Sequence, residues 1–152
     1  MKHIFYYLIL ILTLSSCNEI NDDVKDLKKH VSLKIEPKST QFKIEKIGDG
    51  RLGPSDYTLI AEIEFEKKDL EQLKKQVKTK SNHSFYAGFK KESLDFLSPE
   101  IFEIFDYDKT SEKYKINVTT YEAQYFYANP LINGFCIFPK KGNRIFLYLF
   151  TT

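Results

Sequence analysis

The chain has 152 residues, and its 23 Lys and Arg against 21 Asp and Glu give a formal net charge of +2 at pH 7. This length suffices for one domain with a single core, and the near-balance of charge gives no global electrostatic reason to expect nucleic acid as a partner. Ten Tyr and 13 Phe against no Trp indicate an aromatic-rich body with much β-structure.

The N-terminus has the layout of an export signal. Residues 1–3 form a short basic stretch, and residues 4–14 form an apolar run that is too short to span a bilayer core as a helix. Ser15 and Ser16 are the small residues that a signal peptidase requires, and Cys17 follows them. The segment therefore resembles the lipobox of bacterial lipoproteins, with an ordinary secretory signal and a chance cysteine as the alternative.

This resemblance implies cleavage before Cys17 and acylation of its thiol and new amino group, with palmitate among the acyl chains. Acyl chains stabilise membrane binding by about 0.8 kcal/mol per buried CH₂, and more than one chain gives stable anchoring. Asn18 is not the Asp that retains lipoproteins in the inner membrane of enteric bacteria, which by analogy favours the outer membrane. The acidic stretch at residues 18–23 is similar to the surface-export tags of lipoproteins in Bacteroidetes, so surface exposure is a further expectation.

Lipidation also bears on the cysteines, because it would leave Cys136 as the only thiol and exclude an intrachain disulfide. Residues 18–30 are polar with mixed charges, which is typical of a solvated spacer. We therefore predict a cleaved signal peptide at residues 1–16, a lipidated cysteine with a polar tether at residues 17–30, and a single domain at residues 31–152.

Alternation of apolar and polar residues predicts the first strands of this domain at residues 31–36 and 42–45. Residues 48–56 are dense in turn formers and predict a loop.

The clearest strand covers residues 57–66, and a helix predicted over residues 67–78 should cover its apolar face. A second helix is predicted from Ser98 to about Asp106, because Ser98 is a good N-cap and Pro99 suits the first helical position. The apolar row of the strand and the apolar stripe of the first helix comprise Tyr57, Leu59, Ala61, Ile63 and Phe65, and Leu70, Leu73 and Val77.

Further strands are predicted at residues 114–118, 121–128, 134–138 and 144–150, the last two forming a hairpin with a turn at residues 139–143. Residues 120–127 also fit a capping box that would open a helix, although their tyrosines favour a strand. Residues 145–150 are apolar on both faces, which indicates a central strand covered on both sides or an oligomeric contact. The expected fold class is α+β, an antiparallel sheet of about five or six strands with one or two helices packed on one face.

Several short motifs match functional patterns incompletely. Gly48, Gly50 and Gly53 fit G-x-G-x-x-G, but no helix is predicted after them to hold a pyrophosphate. Residues 106–112 place oxygen ligands at alternate positions, as a calcium loop does, yet they lack its central glycine. His83 is the only histidine of the predicted domain, which argues against a His-based zinc site.

The side chains of Glu62, Glu64 and Glu66 would align on one sheet face, about 7 Å apart along the strand. Such a row could bind a cation or supply an acid–base pair, whereas a solvent-facing row balanced by Lys34 and Lys43 is the simpler interpretation. Cys136 lies in an apolar strand and is predicted to be a buried structural thiol.

Two aromatic groups could form an interaction surface, with core packing as the simpler interpretation. They comprise Phe85, Tyr86, Phe89, Tyr121, Tyr125 and Tyr127.

Three classes of function remain. The first is a membrane-anchored envelope lipoprotein that binds a protein or a small ligand without catalysis. The alternative is an inhibitor or immunity-type lipoprotein that neutralises a toxin or hydrolase. The third is a carboxylate-dependent hydrolase, which would need Glu62 and Glu64 in a concave pocket with perturbed pKa values. No cofactor, metal or nucleic-acid partner is expected.

Overall fold

The computed structural model describes residues 19–47, 56–81 and 85–151. Cys17 with the predicted lipobox, the predicted glycine-rich loop at residues 48–55 and His83 lie outside these ranges. Within them, no helix is long and apolar enough to cross a bilayer.

The described residues form two antiparallel sheets and three α-helices. The main sheet has six strands in the order β1-β2-β9-β8-β7-β3, and the small sheet has three in the order β4-β6-β5. The strands are β1 (Ser39–Ile47), β2 (Asp56–Glu64), β3 (Thr79–Ser81), β4 (Phe85–Phe89), β5 (Phe105–Asp108), β6 (Lys113–Ile116), β7 (Thr120–Glu122), β8 (Asn133–Ile137) and β9 (Arg144–Phe150). The helices are α1 (Val24–His30), α2 (Lys67–Gln76) and α3 (Pro99–Phe102), with 3-10 turns at Lys91–Ser93 and Gln124–Phe126.

Strand β9 lies in the middle of the main sheet, hydrogen-bonded to β2 on one side and to β8 on the other. Ile145, Leu147 and Leu149 enter the core on one face of the sheet, and Phe146 enters the core on the other. This confirms that the strand is apolar on both faces because it is covered on both sides.

The two faces of the main sheet are covered by different layers. Leu70 and Leu73 of α2 pack in one core with Leu59, Ala61 and Ile63 of β2, as predicted. The small sheet and α3 supply the other core. The α+β class is confirmed, with α1 and α2 on one face of an antiparallel sheet, and the small sheet with α3 on the opposite face is an addition to the prediction.

The predicted helix from Ser98 to Asp106 is wrong beyond Phe102. Residues 105–108 form β5 instead, and Phe105 packs edge-on against Phe89 and Phe146, with ring centroids 5.6 and 5.1 Å apart. Burial in this aromatic core, together with pairing to β6, overrides the local helical signal.

Two further strand predictions are wrong, one entirely and one in part. Residues 31–36 are irregular, because the N–H of Ser32 donates to the carbonyl of Phe126 (3.0 Å) rather than to a neighbouring strand. The strand predicted at residues 121–128 ends at Glu122. The 3-10 turn at Gln124–Phe126 follows it and brings Phe126 into the core.

The predicted solvated spacer is wrong from Asn21 onward. The backbone of Asn21 exchanges two hydrogen bonds of 2.8 Å with Phe42 at the outer edge of β1. Asp23 caps α1, and Leu27 of that helix is fully buried in the core beside Val31. The folded domain therefore includes residues 21–30, in which Val24 and Leu27 begin an apolar spacing that continues at Val31.

Substitution of Leu27 tests whether α1 belongs to the core. Leu27→Ala should lower the free energy of unfolding by about 2–5 kcal/mol, because it leaves a cavity among packed side chains. Lys25→Ala, at an exposed position of the same helix, should change it by less than about 0.5 kcal/mol. Urea unfolding followed by circular dichroism measures both, and an equally small effect of the two variants would contradict the placement of α1.

Candidate functional site

Glu62 and Glu64 do not lie on a solvated face, whereas Glu66 is exposed at the N-cap of α2. The side chain of Glu62 is 6 % exposed, and its two oxygens accept hydrogen bonds from the guanidinium of Arg144 and from the N–H of Ser98 (2.6 Å to Ser98). The same guanidinium donates to Glu64 (3.1 Å). One arginine of β9 therefore holds two carboxylates of the neighbouring strand, an arrangement that we call the arginine clamp.

Lys38 and Ser39 complete the surroundings of Glu64, with contacts of 3.2 Å each. The hydrogen bond from Lys38 holds the pKa of Glu64 below its usual range. Burial alone would lower the pKa of Arg144, but hydrogen bonds and attraction from Glu62 and Glu64 raise it. At pH values above the ordinary carboxyl pKa of about 4.3, the ionised Glu64 therefore stabilises the fold. This contribution is lost as the pH falls through the lowered pKa of Glu64 in the folded protein.

The lysines predicted to balance the row have other partners. Lys43 is buried, and its ammonium donates to the carbonyl of Glu92 (2.6 Å) and lies 3.7 Å from a carboxylate oxygen of Asp95. Lys34 lies over the ring of Tyr125, 5.3 Å from its centroid. The interpretation of a solvent-facing row balanced by Lys34 and Lys43 is therefore wrong.

This geometry does not favour acid–base chemistry by Glu62 and Glu64. A cavity of about 220 Å³ adjoins them, but Arg144 and Lys38 already neutralise both carboxylates. A general acid at neutral pH needs a raised carboxyl pKa, whereas that of Glu64 is lowered. The clamp acts structurally, because Glu62 links β2 and β9 to the N-terminus of α3 through Ser98.

Removal of the arginine tests this structural role. Arg144→Met should lower the free energy of unfolding by about 2–3 kcal/mol, because Glu62 would keep a nearly buried charge without its cation. The expected loss is smaller than for a fully buried pair, since Arg144 is 35 % exposed and solvent screens it.

Lys28→Met is the matched control, because Lys28 forms an exposed ion pair with Glu36 that should contribute less than about 1 kcal/mol. Adding Glu62→Gln to Arg144→Met should restore part of the stability, since it removes the stranded charge. A loss from Arg144→Met no greater than that from Lys28→Met in chemical unfolding would contradict the clamp.

The clamp positions one side of a groove of about 700 Å³ between α3 and the turn that joins β8 to β9. Its lining is apolar where the side chains are buried or half-buried, and charged at the exposed rim. The apolar residues are Ile104, Val118, Tyr121 and Phe138, and the rim residues are Glu100 and Glu103 from the α3 segment and Lys140 and Lys141 from the β8–β9 turn. The groove therefore combines an apolar lining with a rim that carries both signs of charge.

The apolar lining is held by aromatic contacts. The rings of Tyr121 and Phe138 meet edge-to-face with centroids 5.0 Å apart, and the ammonium of Lys74 lies 5.6 Å from the centroid of Phe138. Gly142 in the β8–β9 turn has a φ of +80°, and a Cβ there would lie 2.9 Å from a carboxylate oxygen of Glu100. The turn thus approaches α3 closely at a position that favours glycine.

The predicted aromatic surface is divided between different places. Tyr121 lines the groove, whereas Phe89 is 5 % exposed and belongs to the core beneath the small sheet. Tyr125 and Tyr127 are half-buried against the other core, and burial raises the pKa of both. The side chains of Phe85 and Tyr86 lie outside the described part of the structure.

Two other candidate residues, Cys136 and Asp108, have contacts that are typical of structural roles. Cys136 is fully buried, and this burial raises the pKa of its thiol to about 12, which confirms the predicted structural thiol. Asp108 accepts a hydrogen bond from the N–H of Thr110 (2.8 Å) in the turn after β5. Within the described ranges, no group of three or more His, Cys, Asp or Glu residues is placed to hold a metal ion.

Sequence reasoning missed the groove because its sides come from three separate segments: residues 100–104, 118–121 and 138–141. No periodicity or motif connects them.

The chain matches no protein-family model, and no curated protein or solved structure matches it. Within the described residues, the groove is therefore the feature that bears most on function, and the predicted export signal stands beside it.

Proposed function

We propose that this protein is a lipid-anchored binding protein of the bacterial envelope, with the groove as its binding surface. The observation that carries the anchor is the sequence before Cys17: a basic start, an apolar run at residues 4–14, and the small residues Ser15 and Ser16. Acylated Cys17 would hold the protein on the membrane, and Asn18 favours the outer membrane.

The groove supports a protein partner that presents an extended segment. Aromatic and aliphatic side chains surrounded by a polar rim are the usual anatomy of a protein interface. The rim of the groove has Glu100 and Glu103 from the α3 segment and Lys140 and Lys141 from the β8–β9 turn, so it would favour a partner segment that carries both basic and acidic groups. The cavity is large enough to seat one or two apolar side chains between them.

The anchor is tested by removal of the acylated side chain. Cys17→Ser should move the protein from the membrane fraction to a soluble or unprocessed fraction, because it removes the acceptor of the acyl chains. Fractionation of the host cells followed by immunoblotting measures this. Unchanged membrane partitioning of the variant would refute lipid anchoring.

The groove is tested by reversing one side of its charge. In cross-linking within the native envelope, Lys140→Glu with Lys141→Glu should reduce recovery of the specific partner about tenfold, because like charges would then face each other in the complex.

Lys67→Glu with Lys68→Glu is the matched control, since both lysines are exposed at the start of α2 and do not line the groove. The control should recover as much partner as the native protein does. Equal recovery by the groove variant and the control would exclude the groove as the binding surface, and recovery of a small molecule instead of a protein would exclude the proposed partner class.

A further inference from the structure

We infer that the domain stands directly on the bilayer with the Asn21–β1 edge of its main sheet facing the lipid and the β3 edge on the far side. This inference rests on the proposed acylation of Cys17. It adds to that proposal an orientation and a membrane-facing surface.

The first step is the attachment of the chain at Asn21. Its backbone pairs with Phe42, its side-chain N–H donates to Asp26 (2.6 Å), and its side-chain oxygen accepts from the N–H of Asp23 (2.8 Å). Leu27 and Val31 follow within the core, with 0 % and 2 % exposure. The chain is therefore fixed to the folded domain from Asn21 onward.

The second step is the length of chain that remains. Cys17 and Asn21 are four residues apart, so the connection spans at most about 14 Å, whereas a spacer extending to Val31 would reach about 45–50 Å. The headgroup region of one leaflet is itself about 5–8 Å thick. The acyl chains thus hold the edge of the domain at the headgroups.

The third step is the width of the main sheet. From Asn21 the strands follow in the order β1, β2, β9, β8, β7 and β3, each about 4.8 Å from the last. Tyr121 on β7 therefore lies about 24 Å from Asn21 across the sheet, and Thr79 on β3 lies about 29 Å from it.

The membrane-facing edge also has a chemical feature that suits lipid. Ile20, directly before Asn21, is 49 % exposed and is one of the few large apolar side chains with such exposure in the described residues. An aliphatic side chain at this place would enter the boundary between headgroups and acyl chains, where burial of apolar area is favourable.

The orientation is tested with fluorescent labels on the acylated protein in liposomes that contain a headgroup-attached quencher. Lys25→Cys places a label on α1 near the proposed lipid-facing edge, and Thr79→Cys places one at the opposite edge; both positions are exposed. The native cysteines should not react, since Cys17 would be acylated and Cys136 is buried with a raised thiol pKa.

Quenching at position 25 should exceed that at position 79 at least about threefold, because the two edges differ by more than 20 Å in distance from Asn21. Inserting twenty Gly and Ser residues between Ile20 and Asn21 gives a connection of about 25 Å root-mean-square length, which should bring the ratio close to one.

Equal quenching at both positions without the insertion would overturn the orientation while leaving the anchor intact. Co-flotation with the liposomes is measured on the same samples. Failure to co-float would instead overturn the proposed acyl anchor, and the orientation with it.

Discussion

Burial of strand β9 on both faces is the constraint on which the rest of the domain depends. Ile145, Leu147 and Leu149 fill the helix-covered core, and Phe146 fills the core beneath the small sheet. A strand covered on both sides requires two layers around it, so the small sheet and the helices both follow from its composition. Arg144, at the start of the strand, is polar and meets this burial by pairing with Glu62 and Glu64.

The arginine clamp connects this central strand to the candidate binding surface. Glu62 accepts from the N–H of Ser98, which precedes α3, and α3 supplies the acidic rim of the groove. The β8–β9 turn supplies the basic rim from the same end of β9. Glu62 and Glu64, for which the sequence left acid–base chemistry open as an alternative, thus connect the central strands to the groove.

The sequence predicted those elements in which local pattern and tertiary burial agree. Residues 57–66, α2 and the β8–β9 hairpin each have a clear period and one consistent environment, and they were predicted with small errors at their ends. The prediction failed where contacts between residues far apart in the sequence determine the secondary structure. Phe105 lies in a strand because it packs against Phe146, and the N–H of Ser32 donates to Phe126 instead of to a neighbouring strand. The groove could not be predicted at all, since three distant segments form it.

The N-terminal segment shows how composition can hide structure, because charged residues around Leu27 resemble a spacer while Leu27 itself lies in the core. In the proposed account, acylated Cys17 therefore determines the orientation of the domain on the membrane as well as its location. The amide of Phe42 tests this most directly, since its hydrogen bond is to Asn21 at the outer edge of β1. Hydrogen exchange measured by NMR should show this amide exchanging at least about a hundredfold more slowly than a free peptide. Exchange at the free-peptide rate would mean that the segment is detached and that the domain hangs on a long tether.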